Sequence, residues 1–426
     1  MIQVSQKFLQ ATKNYTRISN MEYVITYLDG TSITLNDTNS KGNCTITNQC
    51  VTSNGFNIGG VCIGECSFTM EENSIYIGNL IGATVKIFTS LYTDKDEKIL
   101  IGTFIITKAE KSNGFVTISG SDNMMKLDKS FYDEDTYNNR VNTIAVGLSN
   151  LDTLYNHINY ICNQCGATMP YNEDYIQSFE LYEHGESNLY RVDCDNVNAS
   201  PRDYLSNIAT LLGGFFYVNN LGYITPKRFG TDTDSVYTVE YSQIISNGYN
   251  ECDFQMRLYG AYYQDEDNSW CKTWYPAYEN LPNSIIVDTS NNMFLQQYYQ
   301  DHGLPQDIIG NICLAVGGVS YIPFDISIIG NPALEVGDCI TIQRKDGSYF
   351  KSVITHISWT SRGTQNLKCV GEDTRTLGSN VRNQTTRLAE TTQKKINDVK
   401  GVDLSQSEFD NMSITDLKEG KTYYVY

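Results

Sequence analysis

The amino-acid sequence predicts a mainly β protein with an α+β middle domain. Two runs, 77–122 and 329–373, alternate apolar and polar residues at the two-residue period of a strand, with Gly-containing turns between the alternating segments. Between these runs, 149–166 and 200–214 place apolar residues at helical spacing. Aromatic residues make up 12% of the chain and charged residues 19%, a composition typical of a globular protein.

The two β-rich runs align with each other, and we interpret them as an internal repeat. The matched positions run in the same order in both: Ile77-Gly78-Asn79 with Ile329-Gly330-Asn331, Gly82 with Gly337, Val85 and Ile87 with Ile340 and Ile342, 104–107 with 353–357, Asn113-Gly114 with Arg362-Gly363, and 116–122 with 367–373. The alternative is that any two three-stranded meanders look this similar, because Gly and β-branched residues recur in all such sheets. The repeat predicts two similar β-barrels in one chain.

The N-terminal part contains signals for a first barrel. A short helix is predicted at 3–13, a hairpin at 23–28 and 32–35 around Asp29-Gly30, and a strand at 66–70 leading into the first repeat copy. The polar residues 36–60 predict a long loop or extension. The polar connector 130–142 marks the first domain boundary.

The following residues predict a small α/β unit. The helix at 149–166 has a capping-box pattern at Ser149 and Asp152, and the helix at 200–214 begins with Ser200-Pro201-Arg202-Asp203. A hairpin at 215–218 and 223–225 follows. Strands are then predicted at 236–245, 252–263 and 270–274, with helices near 292–300 and 306–316.

The C-terminal residues favour a helical tail. Aliphatic residues and threonines recur there in a heptad-like pattern with one stutter: Val381, Thr385, Leu388, Thr392, Ile396 and Val399. A solvated helix packed on its own domain is the alternative, and 423–426 could pair as a strand. We therefore predict a first tube-like barrel at 1–129, an α/β domain at 130–233, a second barrel at 234–376 and an oligomerising tail at 377–426.

Charge and cysteine usage limit the possible functions. The net charge of −18 argues against binding the outside of nucleic acid; it suits solubility, or an acidic channel that DNA could traverse. The 12 cysteines are irregularly spaced, which indicates reduced thiols and synthesis in a cytoplasm. We expect neither a signal peptide nor a membrane span, since no segment approaches roughly 20 apolar residues.

No motif commits the chain to a chemical reaction. Cys162 and Cys165, with His157 nearby, invite a zinc site, but no second ligand pair lies in reach and both thiols fall on an apolar helix face. The GxSxG and HExxH patterns are absent, and acidic loops at 133–135, 232–234 and 265–267 do not fit a calcium-loop pattern. We therefore predict no enzyme activity and no catalytic, cofactor-binding or metal-binding residues, although the 49 acids leave a glycosidase pair neither chosen nor excluded.

Several stretches together resemble the tail (baseplate) hub family of phages and phage-derived contractile particles from Gram-positive bacteria. They are KFLQATKN with the hairpin at 27–30, residues 64–88, 101–111 and 116–131, the helix–hairpin ASPRDYLSNIATLLGGFFYVNNLGYI, and NPALEVGDCITI. The resemblance implies a homotrimer with two tube-like barrels per chain. Such a hub has pseudo-sixfold symmetry and joins a hexameric tail tube to a trimeric spike or fibre.

The resemblance also implies partners and a location. These are the tail tube or distal tail protein, the central spike or fibre protein, and a tape-measure protein in the lumen, with DNA only as passing cargo, in a virion tail or extracellular particle assembled in the bacterial cytoplasm. Many relatives continue into a peptidase, lysozyme-like or fibre domain, so wall cutting is expected on another protein. Two alternatives stay open: a carbohydrate-binding tail-tip adhesin, suggested by 31 tyrosines and three tryptophans, and a tail-associated wall hydrolase.

Overall fold

The chain divides into two compact units, 1–372 and 373–426. The structure, a computed structural model, describes residues 1–14, 19–51, 56–75, 80–91, 94–128, 153–179, 200–231, 233–265, 269–279, 281, 283–371, 402–404 and 423–425. Its described part is mainly β, as the sequence predicts. In the second unit, β22 (Val402–Leu404) pairs in parallel with β23 (Tyr423–Val425), and the heptad-like residues 381–399 lie outside the described residues.

The first unit contains both strands and helices. Its strands are β1 (Ser19–Thr26), β2 (Ser32–Asn36), β3 (Thr45–Gln49), β4 (Gly60–Val61), β5 (Glu65–Glu71), β6 (Thr84–Leu91), β7 (Asp94–Ser112), β8 (Phe115–Ser121), β9 (Phe215–Val218), β10 (Ile224–Lys227), β11 (Tyr237–Val239), β12 (Ile244–Glu251), β13 (Met256–Gln264), β14 (Trp270–Trp274), β15 (Ser284–Asp288), β16 (Ser320–Tyr321), β17 (Phe324–Ile328), β18 (Cys339–Gln343), β19 (Tyr349–Val353), β20 (His356–Thr360) and β21 (Gln365–Cys369). Its helices are α1 (Gln6–Thr12), α2 (Leu154–Gln164), α3 (Glu173–Gln177), α4 (Pro201–Leu211), α5 (Met293–His302) and α6 (Gln306–Val316).

An eleven-stranded sheet dominates the first unit. Its order is β12-β17-β21-β20-β3-β5-β8-β7-β6-β1-β2. The long strand β7 changes register around Thr107: before this point it pairs with β6, and after it with β8. Strands β18 and β19 pair with each other, and β11 joins β18 in parallel to complete a separate three-stranded sheet.

The two-residue period of the sequence places the core on one face of the large sheet. In β5 the side chains of Cys66, Phe68 and Met70 are buried while their neighbours are not, and β17 buries alternate residues in the same way. Alternation of this kind sends successive side chains to opposite faces of a strand. The sequence-predicted strand at 66–70 is therefore confirmed, extended to Glu65–Glu71.

A second group of elements packs beside the large sheet. Helix α4 begins at the predicted capping box, in which the Ser200 hydroxyl accepts the N–H of Asp203 and the Asp203 carboxylate accepts the N–H of Ser200. Helix α6 packs on β13 and β14 and also contacts α4. Residues 252–323 thus form a four-stranded sheet and two helices inserted between the neighbouring strands β12 and β17. The sequence-based boundaries place this segment in the predicted second barrel, 234–376. No sequence pattern indicates that it forms a sheet of its own.

Other predictions differ in detail from the structure. The strand at 270–274 and the helix at 306–316 have the predicted bounds. The loop prediction for 36–60 is wrong, because this stretch contributes β3 and the first residue of β4. Helix α2 is capped by Thr153, whose hydroxyl accepts the N–H of Asn156, while the predicted cap at Ser149 and the matched Ile77-Gly78-Asn79 lie outside the described residues.

Candidate functional site at the edges of the large sheet

The large sheet is continuous because β3 and β20, from opposite ends of the first unit, pair with each other. They run antiparallel, with Ile46 opposite Trp359. The N–H of Ser361 donates to the carbonyl of Cys44 over 2.8 Å, and the N–H of Cys50 donates to that of Thr355 over 3.0 Å. The side chains at the centre of this junction, Ile46 and Trp359, are buried. The junction is therefore a permanent apolar seam inside one chain.

Two corners of the sheet have the same hydrogen bonds. Gly82 donates its N–H to Ile106 over 2.8 Å, and Ile106 donates back to Ala83 over 2.9 Å. Correspondingly, Gly337 donates to Ile354 over 2.7 Å and Ile354 donates back to Asp338 over 2.9 Å. Gly82 and Gly337 have φ values of 86° and 79°, a left-handed backbone that favours glycine.

The residue after each corner isoleucine is a threonine with the same role. Thr107 donates its hydroxyl to the carbonyl of Ser119 over 3.3 Å, and Thr355 donates to the carbonyl of Lys368 over 3.0 Å. In both places the chain then leaves the strand it has followed and pairs with a new neighbour. The two corners therefore redirect the chain in the same way.

The C-terminal half of β7 is one unpaired edge. Past Thr107 this strand pairs with β8 on one side, and no described strand pairs with its other side. Its side chains Lys108, Glu110 and Lys111 are exposed. The ammonium of Lys111 lies 2.8 Å from the carboxylate of Glu72. Charged side chains, lysine above all, are a common means of keeping an exposed strand edge from pairing indiscriminately.

Strand β12 is a second unpaired edge. It terminates the eleven-stranded sheet and, among described strands, pairs only with β17. Near its end, the Glu251 carboxylate accepts the Nε–H of Arg344 over 2.9 Å and the hydroxyl of Tyr249. Burial, and next the Glu251 carboxylate, raises the pKa of Tyr249, so the phenol stays protonated and donates. Cys252, directly after the strand, is the only partly exposed thiol among the described cysteines.

Two buried carboxylates near these seams act as anchors of the backbone. Asp122 accepts the N–H groups of Gly64 and Met124 over 2.7 and 2.9 Å, and burial raises its pKa to about 7. It lines a cavity of about 50 Å³ beside the β3–β20 junction. Asp338 lies 2.8 Å from the ammonium of Lys227; burial alone would raise its pKa, but Lys227 and the N-terminal ammonium lower it below its usual value. Each carboxylate therefore joins segments that are distant in the sequence, Asp122 to Gly64 and Asp338 to Lys227.

The cysteine pair that invites a zinc site, Cys162 and Cys165, belongs to the buried core. Cys162 and Cys165 lie at the end of α2, and burial raises the pKa of Cys162 to about 12, so its thiol is protonated and a poor metal ligand. His157 is also buried and packs edge-on against Phe294 at 5.6 Å. Within the described ranges, no group of three His, Cys, Asp or Glu side chains is arranged to hold a metal ion. Nor is any described helix long and apolar enough to cross a bilayer.

The acidic loops contribute little to any described site. Residues 133–135 lie outside the described residues, as do Asp232, Glu266 and Asp267. Asp234 accepts the hydroxyl of Thr231 within its own turn, which lowers the pKa of that carboxyl. Sequence reasoning missed the two unpaired edges. The only signal for one of them is the charged run Lys108-Ala109-Glu110-Lys111, which follows the mainly apolar and β-branched middle of the strand, 99–107.

Comparison with known proteins gives a structural likeness only. No family model matches the chain, and no curated protein matches it. The solved structures that it resembles include phage tail and baseplate proteins. The 43 kDa tail protein of prophage MuSo2 from Shewanella oneidensis is 11% identical, with a TM-score of 0.45 over 82% of this chain and 97% of that one.

Two further tail proteins give similar values. The tail protein of Neisseria meningitidis is 14% identical, with a TM-score of 0.43 over 83% of this chain and 98% of that one. Prophage tail protein gp18 of Listeria monocytogenes is 9% identical, with a TM-score of 0.43 over 87% and 99%. All three TM-scores lie below 0.5. The restriction to Gram-positive bacteria stays a prediction.

Proposed function

We propose that this chain is the structural hub of a phage tail or phage-like contractile particle. Three copies would form a ring with pseudo-sixfold symmetry that joins a hexameric tail tube to a trimeric spike or fibre. In this proposal each chain contributes two tube-like barrels, which line the channel. The chain would act by shape and assembly and not as an enzyme.

The observation that carries the proposal is the matching of the two sheet corners. The reciprocal bonds of Gly82 with Ile106 and of Gly337 with Ile354, followed by the side-chain bonds of Thr107 and Thr355, agree in partner, direction and order along the chain. Two unrelated meanders share glycines and β-branched residues, but they do not share a set of tertiary bonds. This agreement therefore supports the repeat over the chance-similarity alternative.

Strand neighbours support the same conclusion. In the N-terminal set, β3 pairs with β5, β5 with β8, and β8 with the second half of β7. In the C-terminal set, β12 pairs with β17, β17 with β21, and β21 with β20. All six pairings are antiparallel. The two sets differ at their other ends, where β1 is antiparallel to β6 and β11 is parallel to β18.

A hub needs two like units in one chain because closed rings require matching symmetry at each contact. Three subunits with two equivalent units each offer six positions to a hexameric tube and three to a spike. The segments that leave the large sheet, with α2 to α6, would lie outside the ring as the middle domain. The tube, spike and tape-measure partners, the passing DNA and the virion-tail location rest on the resemblance of the sequence, and the net charge of −18 suits a lumen that does not retain DNA.

Native mass spectrometry of the purified full-length chain tests this function. We expect a species of three times the 48.0 kDa subunit mass, alone or after addition of the tail-tube protein of the same particle. A chain that stays monomeric at all concentrations and does not bind tube rings would contradict the proposal. Two- or fourfold oligomers would contradict it equally, since they cannot supply six units.

One surface favours the adhesin as a second candidate. Trp270, on the inserted segment, is 60% exposed. Trp274 lies four residues later in the same strand, and the ammonium of Lys272 lies 4.4 Å from the centre of its ring. Exposed tryptophans are suited to stacking on sugar rings. Binding to a glycan array that is lost in Trp270→Ala would support an adhesin. Unchanged binding, or none, would leave Trp270 as a surface side chain.

A further inference from the structure

We propose that the C-terminal half of β7 pairs, antiparallel, with β12 of a second copy of this chain, and that this edge contact closes the ring. The inference rests on the proposed function, because it takes the two strand sets as equivalent. The contact inside the chain then serves as a template. If β20 pairs with β3 within one subunit, the equivalent of β20 pairs with the equivalent of β3 between subunits.

The equivalences fix which edges are involved. The matched corner bonds make Ile106 equivalent to Ile354, so that Lys111 takes the place of Trp359. Cys66 and Phe324 are equivalent because they face Gly120 and Cys369. These two residues directly follow Ser119 and Lys368, the acceptors of the Thr107 and Thr355 hydroxyls. The bond-based match differs by two residues from the sequence alignment of 116–122 with 367–373, which is wrong in this part. On the next strand outward, Ile46 faces Cys66 and Glu251 faces Phe324, so Ile46 and Glu251 are also equivalent. The edges equivalent to β20 and β3 are therefore the second half of β7 and the outer side of β12, and no described strand occupies either of them.

The template also gives the register. Trp359 lies opposite Ile46 within the chain, so Lys111 should lie opposite Glu251 of the second copy. Ser358 lies opposite Thr47, so Glu110 should lie opposite Cys252 of the second copy. The bonds of Ser361 to Cys44 and of Cys50 to Thr355 mark the hydrogen-bonded positions, which alternate with the others along the strands.

The alternation places Glu110 and Cys252 at a pair without cross-strand backbone bonds. Such pairs bring the Cα atoms to about 4.5 Å, close enough for a disulfide between two cysteines. The two edges also differ from the template in chemistry: Trp359 and Ile46 are apolar, whereas Lys111 and Glu251 carry opposite charges. Apolar residues suit a seam formed once during folding. A charged side chain such as Lys111 suits an edge that stays unpaired until the subunits meet. Within the chain, Lys111 pairs with Glu72 and Glu251 pairs with Arg344.

A single substitution tests the register. The variant Glu110→Cys, as the full-length chain, is assembled, oxidised mildly and run on a non-reducing gel. We expect a covalent trimer as the final product, because each copy offers one β7 edge and one β12 edge. A symmetric contact of like edges would stop at the dimer. Two controls should lose the cross-link: Glu110→Cys combined with Cys252→Ser, and Thr117→Cys, which places a thiol on an exposed face one strand further from the edge.

The next pair provides an independent measurement. Ser112→Cys with Asn250→Cys should cross-link in the same way, since this pair is the equivalent of Thr360 with Thr45. A trimer by native mass that gives no cross-link in either variant would overturn the edge assignment and leave the proposed function standing. A cross-linked dimer with no trimer would overturn both. A covalent trimer in both variants, reversed by reductant, is the result that the inference predicts.

Discussion

The two corner threonines give a matched pair of substitutions, since valine keeps the shape of threonine and removes its hydroxyl. The Thr355 hydroxyl is buried, donates to the carbonyl of Lys368 over 3.0 Å and accepts the N–H of Val370 over 3.0 Å. The Thr107 hydroxyl makes one longer bond, to Ser119 over 3.3 Å, and its side chain is exposed to water. The Thr355 hydroxyl also lies 3.0 Å from Nδ1 of His356. The same substitution thus removes a buried hydroxyl with three polar neighbours in one place and a solvated bond in the other.

The expected loss of folding stability depends on which hydrogen-bonding groups each substitution leaves without a partner. Thr355→Val leaves the half-buried N–H of Val370 without its acceptor, which should lower the free energy of unfolding by about 2 kcal/mol. Thr107→Val should stay within about 0.5 kcal/mol of the parent, as surface substitutions usually do. In a thermal melt followed by circular dichroism, the first should lower the midpoint by roughly 2–3 °C, as expected for a cooperative unit of this size, and the second by little. Equal shifts for the two variants would refute this reasoning about the corners.

Three further measurements address glycine, charge and thiol positions. Gly337→Ala should lower the melting midpoint further than Gly82→Ala. Both glycines have positive φ, so alanine is strained at either position. The new Cβ would lie 2.4 Å from a phenylalanine ring carbon at position 337, but 3.5 Å from its nearest neighbour at position 82. The pKa of Asp122 is raised to about 7 by burial, so its contribution is present below about pH 4 and is lost as the pH rises to 7; Asp122→Asn should flatten the decline of the melting temperature across that window. Since Cys162 and Cys165 are buried thiols, dialysis against a chelator should leave the melting temperature unchanged, and a drop of several degrees would point to bound metal after all.

Local signals in the sequence predict the elements whose bonds are local. The Ser200-Pro201-Arg202-Asp203 pattern predicts the start of α4 because the capping bonds span only three residues. The polar, turn-forming residues directly before Trp270 predict where the strand at 270–274 begins. In these cases the residues that stabilise the element are neighbours in the sequence.

The sequence does not predict elements whose bonds are distant. Residues 45–49 contain Thr, Asn and Gln and read as loop, yet they form β3 because β5 and β20 supply its hydrogen-bond partners. One of the bonds at this junction, from Cys44 N–H to the Ser361 hydroxyl, joins residues 317 positions apart. For the same reason, nothing local marks 252–323 as an insertion between two strands of one sheet.

The sequence predicts that the chain contains a repeat, but it does not predict which strand edges are left unpaired. The repeat can be found from Gly82 and Gly337, because a left-handed backbone restricts the residue type at the corner. The unpaired edges follow only from knowing which strand lies beside which. A charged run such as Lys108 to Lys111 indicates an exposed strand, but it does not tell whether the strand is protected from pairing or waits for a second copy.

The central claim is that one chain supplies two equivalent units to a ring of three. Electron cryo-microscopy of the assembled particle measures this directly, as the rotation that superposes the strands of residues 45–121 on those of residues 244–369 within one subunit. We expect a rotation of about 60° around the axis that relates the three subunits, as six quasi-equivalent positions require. Two strand sets that superpose only by an unrelated operation, or a ring with another number of subunits, would contradict the account.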